Sequence, residues 1–208
     1  MNASSQTLKS QALETLAGNW TKPMLAMLMV LAPSFIAVIP GVGYVVSLLI
    51  SGPLTLGMTI FLLEFSKHRD ADVSLVYSAF NRFLVALFAY LLMFIFVVIW
   101  SFLFFVPGII AAISYSQTFY LLARNPDMTA IQAIDKSKEM MNGHKARYFW
   151  LSFSFIGWFL LSLLTCGIGL LWAVPYYQVT LTKFHEDLYG GSIADSIGAS
   201  SASDILDA

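Results

Sequence analysis

Two groups of residues in this chain have types and spacings that can do chemistry. The first is a basic run, Lys136, Lys138, Lys145 and Arg147, with Gly143 and His144 set inside it. Cations beside a glycine that lets backbone approach closely form a corner suited to phosphate, and His144 adds a donor. At a membrane boundary each such cation gains about 1 kcal/mol from anionic lipid headgroups. The same charges also serve to set topology, so a headgroup site and a plain charge barrier both remain open. The second group is two matching pairs in apolar surroundings, Tyr115 with Gln117 and Tyr176 with Gln178. A Gln or Tyr in hydrocarbon needs a hydrogen-bond partner, so these side chains are expected to face inward. Residues two apart are about 200° apart on a helix. One of each pair is therefore expected to meet its counterpart, and the other to turn to a different helix or a cavity.

Other chemistries lack their residues. There is no His/Asp/Glu cluster at metal-ligand spacing, no Gly-x-Ser-x-Gly elbow and no phosphate-cradling loop. Intramembrane chemistry usually shows an ionisable residue, and none lies in the apolar segments described next. No enzyme, metal or cofactor is expected. A formal net charge of −1 gives no basic field for nucleic acid. The single Cys166 forms no intrachain disulfide.

The elements that must position these residues follow from where charge is missing. Residues 23–63, 83–123 and 148–182 contain no Asp, Glu, Lys, Arg or His, and all 23 formal charges fall in the rest of the 208 residues. A spanning helix needs about 20 apolar residues, so each segment is twice one pass and reads as a helical hairpin. Turn signals sit near each midpoint, at Pro40-Gly41-Val42-Gly43, Pro107-Gly108 and Cys166-Gly167-Ile168-Gly169. The fold class is thus all-α and polytopic, six transmembrane helices in three hairpins. None of the turns is basic, which places both termini in the cytoplasm. The first 22 residues lack a signal-peptide core, so the first hairpin is expected to be retained. The third hairpin, at 35 residues, is the shortest, near the lower limit for two passes.

A short amphipathic helix is expected ahead of each hairpin. Their apolar faces are Leu8, Ala12, Leu16 and Trp20; Val73, Val76, Tyr77 and Phe80; and Ile131, Ile134, Ser137 and Met141. The third opens on a capping box, Thr129 to Gln132. Leu16-Ala17-Gly18-Asn19-Trp20 parallels Met141-Asn142-Gly143-His144-Lys145, and Ser114-Tyr115-Ser116-Gln117 parallels Pro175-Tyr176-Tyr177-Gln178. The economical reading is a threefold repeat of helix then hairpin, spaced by about 60 residues. Residues 1–189 form one integral membrane domain. The Gly/Ser/Ala/Asp-rich 190–208 is expected to be a disordered cytoplasmic tail.

The run Ser137-Lys138-Glu139-Met140-Met141-Asn142-Gly143-His144-Lys145, with Phe153-Ser154-Phe155-Ile156-Gly157-Trp158, Leu164-Thr165-Cys166-Gly167-Ile168-Gly169 and Trp172-Ala173-Val174-Pro175-Tyr176, resembles the bacterial integral membrane proteins of domain-of-unknown-function family 975. Pro107-Gly108-Ile109-Ile110 and Tyr115 resemble the same family's second hairpin. The resemblance implies six spans in the bacterial cytoplasmic membrane and carries no activity. The layout resembles more faintly the membrane domain ahead of some glycerophosphodiester phosphodiesterases, but no catalytic barrel follows. The function expected is a non-catalytic accessory or scaffold whose partners are membrane lipids, anionic ones included, or another membrane protein. The alternative is a transporter or channel for a lipid-like or small neutral substrate.

Overall fold

The computed structural model of the chain describes residues 3–33, 42–69, 71–103, 105–165 and 167–206, and the regular structure among the described residues is entirely helical. The helices are α1 Ser5–Leu16, α2 Thr21–Leu31, α3 Val42–His68, α4 Leu75–Ser78 continued by a 3₁₀ turn Ala79–Arg82, α5 Phe83–Leu103, α6 Phe105–Tyr115, α7 Thr118–Arg124, α8 Ala130–Met140, α9 Lys145–Phe153, α10 Ile156–Leu164 and α11 Leu170–Leu206.

Among the described residues, four stretches are long and apolar enough to cross a membrane: Val42–His68, Leu75–Ser101, Val106–Arg124 and Lys145–Leu164. The first and last of the six expected passes are not among these four, and residues 34–41, where the first would end, lie outside the described residues. α2 has 11 residues, roughly 16 Å at 1.5 Å per residue. α11 meets its first charge at Lys183, so its apolar start covers roughly 20 Å of the roughly 30 Å hydrocarbon core. Beyond Gly190, where the composition expects disorder, the backbone of α11 continues helical to Leu206.

The turns also shift. Pro107 and Gly108 do not form the second turn but lie in the first turn of α6, where a proline's missing N–H has no helical partner to lose. Gly108 is small for another reason, since a Cβ there would stand 2.1 Å from Ser101 Oγ on α5. Val42 and Gly43 already belong to α3, while Pro40, Gly41 and Cys166 lie outside the described residues. The capping box is present: Thr129 N–H donates to Gln132 Oε1 at 3.0 Å, and Gln132 N–H to Thr129 Oγ1 at 3.4 Å.

Of the three amphipathic faces, the first holds at Leu8, Ala12 and Leu16, all fully buried. The second is wrong in part. Tyr77 and Phe80 are exposed, and Val76 and Ala79 are the buried residues, because α4 runs through the 3₁₀ turn into α5 rather than lying as a separate helix. In the third, Ile134, Ser137 and Met141 are buried but Ile131 is 64% exposed; Ala130 and Ala133 take the inner face, letting α8 lie close to α7.

The packing follows a cyclic order. α4 lies on α3 and α8 on α7, neighbours in sequence, and α1 closes the circle by lying on α11. α3 packs on both α7 and α11, and side chains join α7 to α11. The large buried side chains, among them Phe61, Phe65, Leu121, Leu122, Met141 and Phe184, gather where these three helices meet the short ones. Approach is closest at Gly57, where a Cβ would lie 1.8 Å from the Val76 carbonyl oxygen.

Candidate functional site

α3, α7 and α11 carry the polar atoms expected to face inward, and most of these are buried, Gln117, Thr118, Thr180 and Thr182 among them. Hydroxyls satisfy themselves largely on their own helix. Ser51, Thr55 and Thr59 each donate to the carbonyl four residues back, at 2.6, 2.7 and 2.8 Å, and Ser114 and Thr180 do the same. An i−4 carbonyl is always within reach of such a hydroxyl, whereas a neighbouring helix is not.

Gln117 is among the side chains that cross, as are Tyr177, which donates to Ser152 Oγ at 3.2 Å, and Tyr120, 3.4 Å from Thr182 Oγ1. Arg124 Nε–H donates to His185 Nε2 at 3.0 Å, which leaves the proton of a neutral imidazole on Nδ1. Nδ1–H then donates to Gln117 Oε1 at 3.0 Å, and Gln117 Nε2 donates to Ser116 Oγ at 3.0 Å. Tyr120 stacks on the fully buried imidazole with ring centres 4.7 Å apart, and the Arg124 guanidinium lies 4.6 Å from the Tyr189 ring centre. Burial first and the facing Arg124 cation second push the His185 pKa down to about 3, so the imidazole stays neutral. α8 is tied in by Ser137, whose hydroxyl donates to the Ser114 carbonyl at 2.7 Å and accepts from Gln117 N–H at 3.2 Å.

Neither expected pair meets its counterpart. Tyr115 lies on Phe96 with ring centres 5.9 Å apart, while Tyr176 sits 5.0 Å from Phe155 and 6.2 Å from Trp158. Gln178 is half-buried, and its backbone carbonyl accepts from Thr182. The sequence reading missed His185, which stands outside the charge-free segments. A signal was available: the 61-residue offset relating Gln117 to Gln178 also relates Arg124 to His185.

The basic residues divide. Arg147 turns inward, pairing with Asp187 at 2.6 Å, donating to the Ala3 carbonyl and lying 5.0 Å from the Phe184 ring centre. It clasps α9, α11 and the segment before α1. Lys136 pairs with Glu139 at 3.0 Å, and His144 is half-exposed at the start of α9. Lys138 and Lys145 come together at one groove of about 310 Å³ between α5, α6, α8 and α9. Its walls are Trp100, Pro107, Ile110, Ala111, Ser114 and Tyr115. The Lys138 ammonium lies 5.7 Å from the Tyr115 ring centre and pairs with Asp135 at 2.9 Å, an exposed ion pair of a kind that binds weakly. Among the described residues no group of three or more His, Cys, Asp or Glu is placed to hold a metal ion.

No curated protein and no solved structure matches the chain. A family described as "Protein of unknown function (DUF975)" matches over residues 1–114 and 103–191. Together these matches cover nearly all of the sequence that builds the helices, the polar crossing and the groove, and the chain belongs to that family.

Proposed function

We propose that this chain is a non-catalytic, multi-pass protein of the bacterial cytoplasmic membrane that binds anionic lipid, as an accessory or scaffold for other membrane components. In this reading α2 with α3, α5 with α6–α7 and α9–α10 with α11 make three hairpins, α1, α4 and α8 lie at the cytoplasmic boundary, and both termini are cytoplasmic. The positive-inside distribution supports that orientation.

The observation that carries the reading is Lys138 and Lys145 standing at one groove whose remaining wall is aromatic and aliphatic apart from Ser114, whose hydroxyl donates to the Ile110 carbonyl. A phosphate headgroup meets the ammonium groups while its acyl chain follows Tyr115, Ile110 and Trp100. A transporter needs polar groups reaching both faces. The crossing joins Gln117 and Arg124, at the two ends of α7, to His185 in the charged part of α11, and α5 carries no charged residue, which favours binding over transport.

Native mass spectrometry of gently extracted protein tests this. Lys138→Gln with Lys145→Gln is expected to lose co-purifying anionic lipid, whereas Lys136→Gln retains it. Unchanged retention in the double variant overturns the site.

A further inference from the structure

We infer that the chain carries a second groove, equivalent by the internal repeat to the lysine groove, which takes the uncharged end of a neutral glycerolipid of the diacylglycerol class. The inference rests on the membrane placement proposed above. This groove, about 370 Å³, lies between the α1–α2 junction and the α10–α11 pair.

Three of its wall residues correspond to wall residues of the first groove. An offset of 61 takes Trp100 to Leu161, Ala111 to Trp172 and Tyr115 to Tyr176, all of which line one groove or the other. The close contact of Gly108 with Ser101 recurs 61 residues on, where a Cβ on Gly169 would lie 2.8 Å from Ser162. An offset of 125 takes Lys138 back to Leu13 and Lys145 back to Trp20. The backbone agrees. Gly18 and Gly143, also 125 apart, have φ of +81° and +79°, and Leu8, Ala12 and Leu16 are fully buried like Ala133, Ser137 and Met141. The cyclic packing of α1 on α11 is what brings Leu13 and Trp20 to the third hairpin, as α8 brings its lysines to the second.

The two grooves thus share an aromatic and aliphatic track and differ at the rim. Where the first has two ammonium groups, the second has an isobutyl group and an indole, and no charged residue lines it. An anionic headgroup placed there would lose its hydration without gaining a cation. Ser162 and Thr165 also line it, but their hydroxyls donate to the Trp158 and Ser162 carbonyls, which leaves neutral donors, the indole N–H groups such as that of Trp20 and the Tyr176 hydroxyl, facing the groove. That matches a ligand whose polar end is an ester carbonyl or hydroxyl, with its chain running past Tyr176 and Trp172.

The test uses the full chain in phosphatidylcholine vesicles containing a photoreactive diacylglycerol or a photoreactive phosphatidylglycerol, with crosslinked peptides read by mass spectrometry. The diacylglycerol probe is expected to label α10 and α11 around Trp158 and Trp172, and the phosphatidylglycerol probe α6 around Ile110. Leu13→Lys with Trp20→Lys is expected to shift the labelling ratio at α10–α11 toward the anionic probe by about tenfold or more. Trp172→Ala, at a half-exposed position that tolerates truncation, is expected to lose diacylglycerol labelling, and Trp172→Phe to keep it. Equal labelling of α10–α11 by both probes in the unmodified protein, or an unchanged ratio in the lysine variant, overturns the inference. So does a crosslink from this groove to a second copy of the chain. Loss of the anionic site alone, with diacylglycerol labelling intact, sinks the lysine groove and leaves this one standing. Absence of labelling by either probe sinks both.

Discussion

The apolar stretches fall into two kinds. In Val42–His68 and Val106–Arg124, 50% and 56% of the most apolar window is buried within the protein, against 11% in Leu75–Ser101 and 17% in Lys145–Leu164. The first kind meets other helices through glycine, hydroxyls and Gln117; the second shows Phe, Trp, Leu and Ile outward, as at Phe94, Trp150 and Leu164. Hydropathy alone does not separate them, because Leu75–Ser101 is the most apolar of the four, at a mean of 2.8, yet Val42–His68 at 2.0 exceeds Lys145–Leu164 at 1.3. In a lipid solvent no hydrophobic force drives helices together, so small and polar residues mark the helix that packs.

The sharpest way to break this contrast is a methyl group. Gly57→Ala forces backbone of α3 and α4 apart and is expected to cost about 3 kcal/mol or more, whereas Gly157→Ala, with no atom within 4 Å of the new Cβ, is expected to be neutral or slightly stabilising. Thermal unfolding in detergent checks both. Similar losses at the two sites would erase the distinction between the packed and the outward-facing helices.

A smaller effect is expected from pH. His185 keeps its neutral form down to about pH 3 when folded but takes up a proton near 6.5 when unfolded. Its contribution to stability is therefore complete above pH 6.5 and is lost as pH falls from 6.5 toward 3, by about 1.4 kcal/mol per unit. Comparing melting of the unmodified protein with His185→Gln between pH 7 and pH 4.5 isolates that slope, and parallel curves would reject it.

The smallest difference lies within the matched glutamines. Gln117→Leu leaves His185 Nδ1–H without its acceptor in a buried site and is expected to cost about 1–2 kcal/mol. Gln178→Leu, at a half-buried position, is expected to cost about 0.6 kcal/mol. Equal costs would show that the crossing at Gln117 adds nothing to packing.

Much of the layout was legible from residue types. The capping box at Thr129, the faces of α1 and most of α8, and the inward burial of polar residues on the later arm of each apolar segment follow from local spacing. Bonding targets were not legible. Tyr115 and Gln117 point apart as the helical angle requires, but nothing in their own segment names Phe96 or His185 as their neighbours. Likewise the basic run reads as five equal candidates, although Arg147 is withdrawn into the protein and only Lys138 and Lys145 line one groove.

The division has a physical cause. Hydropathy, charge-free length and i, i+4 spacing act within one helix, so composition by itself determines an all-helical chain with long apolar stretches and its charges set between them. The circle closes through contacts that span the chain. Ala3 N–H reaches Asp187 across 184 residues, Arg147 meets the same carboxylate, and α1 settles on α11. Whether a cation faces lipid or an internal carboxylate depends on which helix arrives beside it. Only the tertiary structure brings Asp187 to Arg147, His185 to Gln117, and Leu13 and Trp20 to the place that Lys138 and Lys145 hold in the other groove.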